Sequence, residues 1–192
     1  MAKSIFITGG ASGIGRAAAI LFAARGWRVG LADINEAGLA ATRALLPPGM
    51  AETYVMDVRD RTGWAATLDA FTAPASEQLD VLFNNAGIGT GGTLTATGFD
   101  AIDRTVAINF IGVLNGAKIG HAYLARTRGA CLLNTASASA IYGSAGLATY
   151  SATKFAVRGL TEALDTEWAR DRIRVRAIIP AFIETPLLDG TV

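Results

Sequence analysis

The sequence predicts an α/β protein, with a doubly wound parallel sheet covered by helices on both faces. Three observations indicate this fold class. Short apolar runs of strand length alternate with longer helical segments along the chain. The first apolar run leads into a glycine-rich turn and then into an alanine-rich helix. Hydrophobic residues form 51% of the 192 residues and charged residues only 17%, which excludes a disordered chain.

Composition also narrows the kinds of binding partner and the cellular compartment that we expect for this protein. The formal net charge is +1 and no dense basic run occurs, so we expect no nucleic-acid partner. No apolar stretch is long enough to cross a bilayer, and the N-terminus lacks the pattern of a signal peptide. Cys131, the single cysteine, lies in an apolar run, which favours a buried packing role and a reducing compartment. We therefore expect a cytoplasmic protein without a membrane partner, built as one domain over residues 1–192.

Apolar runs bounded by turn residues place the strands, and the segments between them read as helices. The predicted strands cover residues 4–8, 28–32, 51–56, 81–84, 129–135 and 174–179. The predicted helices cover residues 13–24, 36–46, 61–71, about 99–126 and about 150–170. The second helix has a clear stop, because two prolines and a glycine follow it at positions 47–49. Right-handed crossovers between the strands then give the doubly wound sheet.

The turn after the first strand has the composition of a phosphate-binding loop. Glycine has no Cβ, so it lets the backbone turn tightly and approach a ligand closely. The free N–H groups at the start of a helix favour a phosphate, and a glycine there lets the helix lie close to the strand. An ordinary strand-to-helix turn is the alternative interpretation. We expect a dinucleotide to be held here by Gly9, Ser12, Gly13, Ile14 and Gly15.

Asp33 ends the second strand, about twenty residues beyond the glycines. A carboxylate at this place can accept hydrogen bonds from both ribose hydroxyls of an adenosine, and it repels a 2′-phosphate. Neither Ile34 nor Asn35 supplies a positive charge that would bind such a phosphate. NAD is therefore the preferred cofactor, with NADP as the alternative. A helix N-cap is the other interpretation, since Asp33 and Asn35 both precede a helical segment.

Polar residues also end the third and fourth strands. Asp57 and Val58 close the third, where a simple turn would explain them equally well. The fourth ends in Asn-Asn-Ala-Gly at positions 84–87, and asparagine is a poor strand former. The two carboxamides can fix the neighbouring backbone by hydrogen bonding, or they can make a turn. Ligands bind at the carboxyl ends of strands in open α/β sheets, so this segment is a candidate for the site.

Two polar residues stand out in the long helical segment. Asn109 is flanked by apolar residues, although asparagine is a mediocre helix former. It is either a satisfied polar group in a helix interface or the place where the helix bends, with a freed carbonyl or its side chain holding a water. His121 is the only histidine, and no metal-ligand or triad spacing surrounds it. We read it as a surface or partly packed residue and expect no metal.

Tyr150 and Lys154 form the candidate catalytic pair. Their four-residue spacing places them on one helix face. A phenol titrates near 10, and a neighbouring ammonium lowers that pKa toward the range of general acid–base catalysis. Ser137, thirteen residues earlier, can donate a hydrogen bond to a substrate oxygen, and Ser139 is its nearby competitor. Without context, a surface pair would be the default interpretation of Tyr150 and Lys154.

These motifs occur together and in one order. Thr-Gly-x-x-x-Gly-x-Gly at 8–15, Asn-Asn-Ala-Gly at 84–87, and Ser137 before Tyr150-x-x-x-Lys154 resemble the short-chain dehydrogenase/reductase family. The resemblance covers residues 3 to about 187 and includes the distance from Asn109 to Tyr150. It implies a Rossmann fold that forms a single NAD(P)-binding domain. It also implies an oxidoreductase that transfers a hydride between NAD(H) and a carbonyl or secondary alcohol.

The resemblance assigns roles to single residues. Tyr150 looks like the general acid/base, and Ser137 looks like the group that orients the substrate oxygen. Lys154 looks like the group that tunes the Tyr150 pKa and binds the ribose. Asn109 looks like the holder of a water that relays protons from Lys154 to solvent. The further nucleotide ligands that the resemblance implies are Asp57 and Val58 at the adenine, Asn84, Ala86 and Gly87 at a strand end, and Pro180, Ile183 and Thr185 near the nicotinamide carboxamide.

The chain departs from the family pattern near its end. Family members usually have glycine after the proline, where this chain has Ala181, and they continue past Val192 with a substrate-covering loop and a last strand. We therefore expect a sheet without that strand, in which 174–179 is an edge with unpaired backbone groups, and a reduced substrate pocket. Residues 89–97 and 138–146 are expected to line the pocket, but nothing in them names a substrate.

Two other functions stay open beside the oxidoreductase. A non-catalytic dinucleotide-binding module, or an inactive shortened fragment, fits the early end of the chain. An epimerase or dehydratase is the weaker alternative, since those enzymes space the glycines differently and carry a larger substrate domain. The family commonly assembles through its long fourth and fifth helices, so the resemblance also implies a homodimer or homotetramer.

Overall fold

The computed structural model describes residues 2–181 and 183. Within these residues, six strands form one parallel sheet in the order β3-β2-β1-β4-β5-β6. The strands are β1 (Ser4–Thr8), β2 (Arg28–Asp33), β3 (Ala51–Val55), β4 (Val81–Asn84), β5 (Cys131–Thr135) and β6 (Arg174–Ile178). The chain runs outward from β1 to β3 and then returns to place β4 on the other side of β1. This order is that of a doubly wound sheet, and the predicted fold class is confirmed.

Helices connect the strands. They are α1 (Gly13–Ala23), α2 (Glu36–Ala44), α3 (Arg61–Thr72), α4 (Phe99–Val106), α5 (Gly112–Leu124) and α6 (Ala148–Glu167), with 3-10 turns at Ala73–Ala75, Ala138–Ala140 and Trp168–Asp171. The prediction of one helix over 99–126 is wrong in detail. A π-helical turn, Ala107–Ile111, separates α4 from α5 and contains Asn109. In the part of the chain that the structure describes, no helix has the length and apolar character to cross a membrane.

Both faces of the sheet are buried, which explains why the strands read as continuous apolar runs. Every residue of β1 is buried, and its side chains alternate between two cores. Ile5 and Ile7 pack with residues of α1 and α2 on one face. Phe6 packs with Trp64 and Phe71 of α3 on the other face, where residues of α5 complete the core. The two layers cover the central strands, whereas the edge strands β3 and β6 keep exposed residues.

β6 is an edge of the sheet within the described residues. Its outward backbone groups at Val175 are nevertheless satisfied. The Val175 N–H donates to the Asp165 carboxylate of α6 at 3.0 Å, and the Arg176 guanidinium donates to the Val175 carbonyl at 2.8 Å. Asp165 and Arg176 also form an ion pair. The expectation of unpaired backbone groups along this edge is therefore wrong at Val175, where side chains cap the strand.

Cys131 is half-buried at the start of β5 rather than fully buried. Burial raises the pKa of its thiol, and the nearby Arg174 and Arg176 act in the opposite direction. A raised pKa leaves little thiolate at neutral pH, so this cysteine is a packing residue with low reactivity.

The close approach of α5 to the sheet gives a testable stability prediction. A Cβ on Gly116 would lie 2.2 Å from Asn84 Oδ1 and 2.8 Å from the Trp64 ring, so Gly116→Ala requires buried groups to move. We expect it to lower the free energy of unfolding by about 1–3 kcal/mol, as overpacked substitutions do. Gly159→Ala in α6 is the matched control, because nothing lies within 4 Å of its added Cβ.

The control substitution should raise the free energy of unfolding by about 0.5–1 kcal/mol, through the better helix propensity of alanine. Urea denaturation of the two variants and the unsubstituted protein measures both effects. If Gly116→Ala and Gly159→Ala changed the free energy of unfolding by the same amount and in the same direction, the close contact between α5 and the sheet would be contradicted.

Candidate active site

The candidate site lies where the carboxyl ends of four strands meet. β1 ends at Thr8 and β2 at Asp33, while β4 ends at Asn84 and β5 at Thr135. Because these strands are parallel, the segments that follow them share one edge of the sheet. The glycine turn follows β1 at the switch point between β1 and β4. The strand ends that the sequence marked as polar are therefore neighbours in space.

The glycine turn has a shape that only glycine fits. Gly9 and Gly13 have φ angles of +68° and +49°, in the left-handed region. A Cβ on Gly15 would lie 2.1 Å from the Gly9 carbonyl oxygen, which holds α1 tightly against the turn. This spacing explains why the sequence has glycine at these three positions.

The N-terminus of α1 is open for an anion. Ser12 is its N-cap in an extended conformation, but its side chain caps no N–H group, and no acidic residue lies in the first turn. By contrast, Asn35 caps α2 and Asp60 caps α3 through their side chains. Uncapped N–H groups at the end of a helix of eleven residues carry partial positive charge, so they suit a phosphate. The residues present therefore fit the pyrophosphate of a dinucleotide.

Asp33 stands beside this turn with its carboxylate held by two backbone groups. Oδ2 accepts from the Ala11 N–H at 3.1 Å, and Oδ1 accepts from the Asn35 N–H at 3.0 Å. The N-cap of α2 is Asn35, whose side chain accepts from Gly38, so the helix-cap interpretation of Asp33 is wrong. An ionised carboxylate has about four acceptor positions, so Asp33 retains capacity for ribose hydroxyls.

Asp57 and Val58 are fixed in the loop after β3. The Arg59 guanidinium donates to the Asp57 carboxylate at 2.5–3.0 Å, and these hydrogen bonds lower the pKa of that carboxyl. Val58 is buried, and its carbonyl accepts from Trp64 Nε1 at 2.9 Å and from Asn115 Nδ2 at 3.0 Å. The loop therefore has a defined conformation at the edge of the site. Contact with an adenine ring remains a prediction.

The two consecutive asparagines have different roles. Asn84 is only 2% exposed, and its Nδ2 donates to the Val113 carbonyl at 3.3 Å and to Asn134 Oδ1 at 3.1 Å. Its side chain thus lies between the sheet and α5, where a cofactor has no access to it. Asn85 faces the glycine turn instead, and its Nδ2 donates to the carbonyls of Thr8 and Gly9 at 3.1 and 3.3 Å.

Thr8 completes this framework, although neither Thr8 nor Asn85 stood out individually in the sequence. Thr8 Oγ1 accepts from the N–H groups of Asn85 and Ala86 at 3.0 and 3.1 Å. The end of β1 and the end of β4 are therefore joined by side chain and backbone together. The sequence signal that could have indicated this role of Thr8 is a hydroxyl residue immediately before the first glycine.

Ser137 and Tyr150 face one another across the end of β5 and the start of α6. Ser137 is buried, and its Oγ accepts from the Ser139 N–H at 3.2 Å. Burial raises the pKa of the Tyr150 phenol, while the Ser137 hydroxyl acts in the opposite direction. Ser139 lies within the short 3-10 turn. The structure therefore places Ser137, rather than its competitor, next to the phenol.

Lys154 is buried at the base of the site. It is 4% exposed, and its Nζ donates to the Thr135 carbonyl at 2.9 Å. Burial lowers the pKa of this ammonium to about 8. Its Nζ lies 5.6 Å from the centre of the Tyr150 ring. Burial raises the pKa of the Tyr150 phenol, and a lowering of that pKa by Lys154 stays a prediction.

Asn109 is fully buried in the π-helical turn, and its side chain is occupied. Oδ1 accepts from the Ile88 N–H at 2.8 Å, and Nδ2 donates to the Ile88 carbonyl at 2.9 Å. The departure from α-helical geometry predicted at this residue is present. The side chain is thus a satisfied polar group, and a water held by its Oδ1 or by the freed main chain of the π-turn stays a prediction. A Cβ on Gly87 would lie 3.3 Å from Asn109 Oδ1 and 3.6 Å from Lys154 Nζ, so these three residues are adjacent.

The two segments expected to line a substrate pocket are linked. The Gly92 N–H donates to the Gly146 carbonyl at 2.9 Å, and both glycines have positive φ angles. The Pro180 carbonyl accepts from the Ala138 N–H at 2.9 Å, which places the segment after β6 beside Ser137. Ile183 is exposed, and the predicted ligand Thr185 lies outside the described residues.

His121 lies far along α5 and is partly packed, as the sequence suggested. Its Nε2 is 2.9 Å from Asp171 Oδ2, and its ring meets Trp168 edge to face at 4.7 Å. Over residues 2–181 and 183, no three histidine, cysteine, aspartate or glutamate side chains gather in a way that would hold a metal ion.

Comparison with protein families and curated proteins adds to this geometry. The family model described as short chain dehydrogenase matches residues 3–191. The 3-oxoacyl-[acyl-carrier-protein] reductase FabG of Thermotoga maritima is 35% identical over 189 residues, which are 97% of this chain and 76% of that protein. The meso-2,3-butanediol dehydrogenase of Serratia marcescens is 34% identical over 188 residues, covering 98% of this chain and 74% of the enzyme.

Solved structures of enzymes with related names also match this chain. The crystal structure of levodione reductase matches with a TM-score of 0.93 at 34% identity, over 98% of this chain and 74% of that one. The 3-ketoacyl-(acyl-carrier-protein) reductase from Brucella melitensis, complexed with NADH, also has a TM-score of 0.93, at 30% identity over 99% of this chain and 80% of that one.

The buried Lys154 predicts a specific dependence of stability on pH. The folded protein binds this proton less tightly than the unfolded chain does, since the pKa falls from 10.5 to about 8. Stability due to Lys154 therefore rises as pH increases from about 8 to 10.5, by at most about 1.4 kcal/mol per pH unit. Lys154→Met should abolish this pH-dependent contribution to the free energy of unfolding.

Urea unfolding of both proteins between pH 7.5 and 10 measures the difference. The free energy of unfolding of the unsubstituted protein should rise relative to Lys154→Met by about 2 kcal/mol over that range. Lys118→Met, at an exposed position of α5, is the matched control and should show no such trend. Parallel pH curves for the unsubstituted protein and Lys154→Met would refute the lowered pKa.

Proposed function

This chain belongs to the short-chain dehydrogenase family of NAD(P)-dependent oxidoreductases, and we propose that it interconverts a ketone and a secondary alcohol with NAD(H). The observation that carries the proposal is the meeting of Ser137, Tyr150 and Lys154 beside the glycine turn. A hydroxyl, a phenol and an ammonium in one partly buried site can orient and protonate a carbonyl oxygen.

We propose that the glycine turn, the N-terminus of α1 and Asp33 hold the dinucleotide. The uncapped helix end suits the pyrophosphate, and the carboxylate of Asp33 suits the two hydroxyls of the adenosine ribose. The negative charge of Asp33 favours NAD over NADP. The 3-ketoacyl-(acyl-carrier-protein) reductase from Brucella melitensis, whose structure is a complex with NADH, supports this preference. When bound, the nicotinamide supplies or accepts the hydride.

Further contacts with the cofactor are part of the proposal. Asp57 and Val58 would contact the adenine, and Ala86 and Gly87 would line the cleft at the end of β4. Pro180, Ile183 and Thr185 would bind the nicotinamide carboxamide. For Asn84 only the main chain is available, because its side chain is buried against α5.

Tyr150 is the proposed proton donor to the substrate oxygen. Burial raises the pKa of its phenol, so the group is protonated at neutral pH and suited to carbonyl reduction. Ser137 lies next to the phenol and would donate a second hydrogen bond to the same oxygen. Two donors aimed at one oxygen stabilise the negative charge that develops there.

Lys154 is the proposed source of the next proton. Its pKa of about 8 places it close to neutrality, so it can release and regain a proton during a cycle. Its Nζ donates to the Thr135 carbonyl and retains two further donor positions, one of which suits a ribose hydroxyl. The main chain of the π-helical turn around Asn109 lies next to Lys154 and would hold the water that connects it to solvent.

The substrate class follows from the relatives rather than from the pocket. One relative is named for a 3-oxoacyl group and another for 2,3-butanediol. Both names describe an oxygen-bearing carbon near the reacting carbon. We propose a ketone or alcohol with a second oxygen function on a nearby carbon, held between the segments that the Gly92–Gly146 hydrogen bond links.

Assembly and location belong to the proposal as well. The exposed side chains of Phe99 in α4 and Phe155 in α6 are apolar surfaces that would suit a homodimer or homotetramer. A half-buried, unreactive Cys131 fits a cytoplasmic location.

Tyr150→Phe tests the chemical step. Removing the phenolic hydroxyl should lower kcat for acetoin or a 3-oxoacyl thioester by at least about 100-fold, because the proton donor is lost. The dissociation constant for NADH should stay within about threefold, since ring and packing are retained. Tyr123→Phe, whose hydroxyl donates to Asp69 away from the site, is the control and should retain activity.

Steady-state kinetics over a panel of ketones and diols, together with fluorescence titration of NADH, provide the two readouts. Unchanged turnover in Tyr150→Phe would contradict the proposed donor. NADH binding by a protein that turns over no substrate in the panel would favour the non-catalytic binding module.

Asp33→Asn tests the cofactor preference. The substitution removes the charge that repels a 2′-phosphate and keeps one of the two oxygens that accept from the backbone. We expect the unsubstituted protein to bind NADH at least about tenfold more tightly than NADPH, and Asp33→Asn to reduce that ratio about tenfold. Asp60→Asn, at the N-cap of α3, should leave the ratio unchanged. Equal affinity of the unsubstituted protein for the two cofactors would show that Asp33 does not select NAD.

A further inference from the structure

Thr135, the last residue of β5, contacts both halves of the candidate site. Its hydroxyl donates to Asn85 Oδ1 at 3.1 Å, and its main-chain carbonyl accepts from Lys154 Nζ at 2.9 Å. Thr135 is 8% exposed, so water does not compete freely for either group. A single residue thus joins the side chain beneath the glycine turn to the buried ammonium.

The carboxamide of Asn85 forms the floor of the glycine turn. Its Nδ2 donates to the carbonyls of Thr8 and Gly9 at 3.1 and 3.3 Å. A Cβ on Gly9 or on Gly15 would lie 2.9 or 2.8 Å from this nitrogen, so the turn is packed directly on the amide. The shape of the turn therefore depends on where this amide points.

Three neighbours select one orientation of the amide. The two carbonyl oxygens require the NH₂ group on their side, and the Thr135 hydroxyl offers a donor to the oxygen on the other side. If the amide were turned over, its oxygen would face two carbonyl oxygens and repel them. The hydroxyl is the donor that keeps Asn85 Oδ1 paired when the NH₂ group serves the turn.

We propose that Thr135 is a positioning residue, whose hydroxyl fixes the Asn85 amide in the orientation that lets the glycine turn receive the dinucleotide. The proposal rests on the proposed function, in which this turn holds the pyrophosphate. The carbonyl of the same residue holds Lys154 independently of the side chain. The hydroxyl thus acts on cofactor affinity, and the carbonyl acts on the catalytic ammonium.

Loss of the Thr135 hydroxyl should weaken cofactor binding, because fewer molecules would hold the Asn85 amide in the orientation that suits the glycine turn. Without a donor for Oδ1, the half-exposed Asn85 side chain gains orientations in which its oxygen meets solvent and its NH₂ group leaves the turn. The apparent dissociation constant then rises as the reciprocal of the fraction of molecules that keep the competent orientation. We expect an increase of about tenfold in the dissociation constant for NADH.

Thr135→Val and Thr135→Ser form the test. Valine keeps the branched shape and the main-chain carbonyl but removes the hydroxyl, whereas serine retains it. Thr161→Val is the matched control, because Thr161 is a buried threonine of α6 whose hydroxyl bonds Asn134 and Val157 rather than the turn. The measurements are the melting temperature, the dissociation constant for NADH by fluorescence titration, and kcat at saturating NADH.

We expect the dissociation constant for NADH to rise about tenfold in Thr135→Val and to stay within about threefold in Thr135→Ser and Thr161→Val. Thr161→Val should lower the melting temperature without changing affinity, which separates positioning from general destabilisation. At saturating NADH, kcat of Thr135→Val should stay within about threefold, because the carbonyl that holds Lys154 is unchanged. If Thr135→Val does not fold, Thr135→Ala provides the same comparison.

An NADH affinity in Thr135→Val equal to that of the unsubstituted protein would overturn the inference and leave the proposed function intact. An equal loss of affinity in Thr135→Val and Thr161→Val would overturn it too, since the effect would then be general. No NADH binding by the unsubstituted protein would overturn the proposed function and, with it, this role of Thr135.

Discussion

The arrangement of the site depends on a parallel sheet that is buried on both faces. Helices cover both faces of the central strands, so polar groups of these strands can reach a ligand only at the strand ends. All strands run in one direction, so the residues that follow β1, β2, β4 and β5 emerge at the same edge. The chain leaves β1 and β4 toward opposite sides, and the glycine turn occupies the crevice between them.

Burial also decides the electrostatics of this edge. Lys154 and Tyr150 are both removed from water, which disfavours the charged form of each group and moves their pKa values in opposite directions. The phenol stays protonated at neutral pH, and the ammonium titrates near it. These two protonation states suit the proton transfer that we propose for the pair. The same burial makes the Lys154 hydrogen bond to the Thr135 carbonyl necessary, because an unpaired buried ammonium is costly.

Hydrogen bonds among its own groups hold the framework around the site, although Asn84 Oδ1 is buried without a partner among the described residues. The carboxamides of Asn85 and Asn109 bond main-chain groups of the glycine turn and of Ile88, and Asn84 bonds across to α5 and β5. Asparagine suits this task because one side chain both donates and accepts, so it can pair with an irregular backbone segment. Loops fixed in this way lose little freedom when a ligand binds, which favours affinity.

The sequence by itself determined the strands, most helix limits, the glycine turn and the shared face of Tyr150 and Lys154, because these depend on local backbone preference and on spacing. It could not decide which of two adjacent asparagines faces the turn, since successive residues point to opposite sides and only the position of α5 shows that Asn84 packs against that helix. The break of the long helix at Asn109, the cap of α2 by Asn35 and the raised pKa of Tyr150 were also decided by tertiary structure. Their common reason is that hydrogen-bond partners and burial are set by residues distant in the sequence, which no local pattern reports.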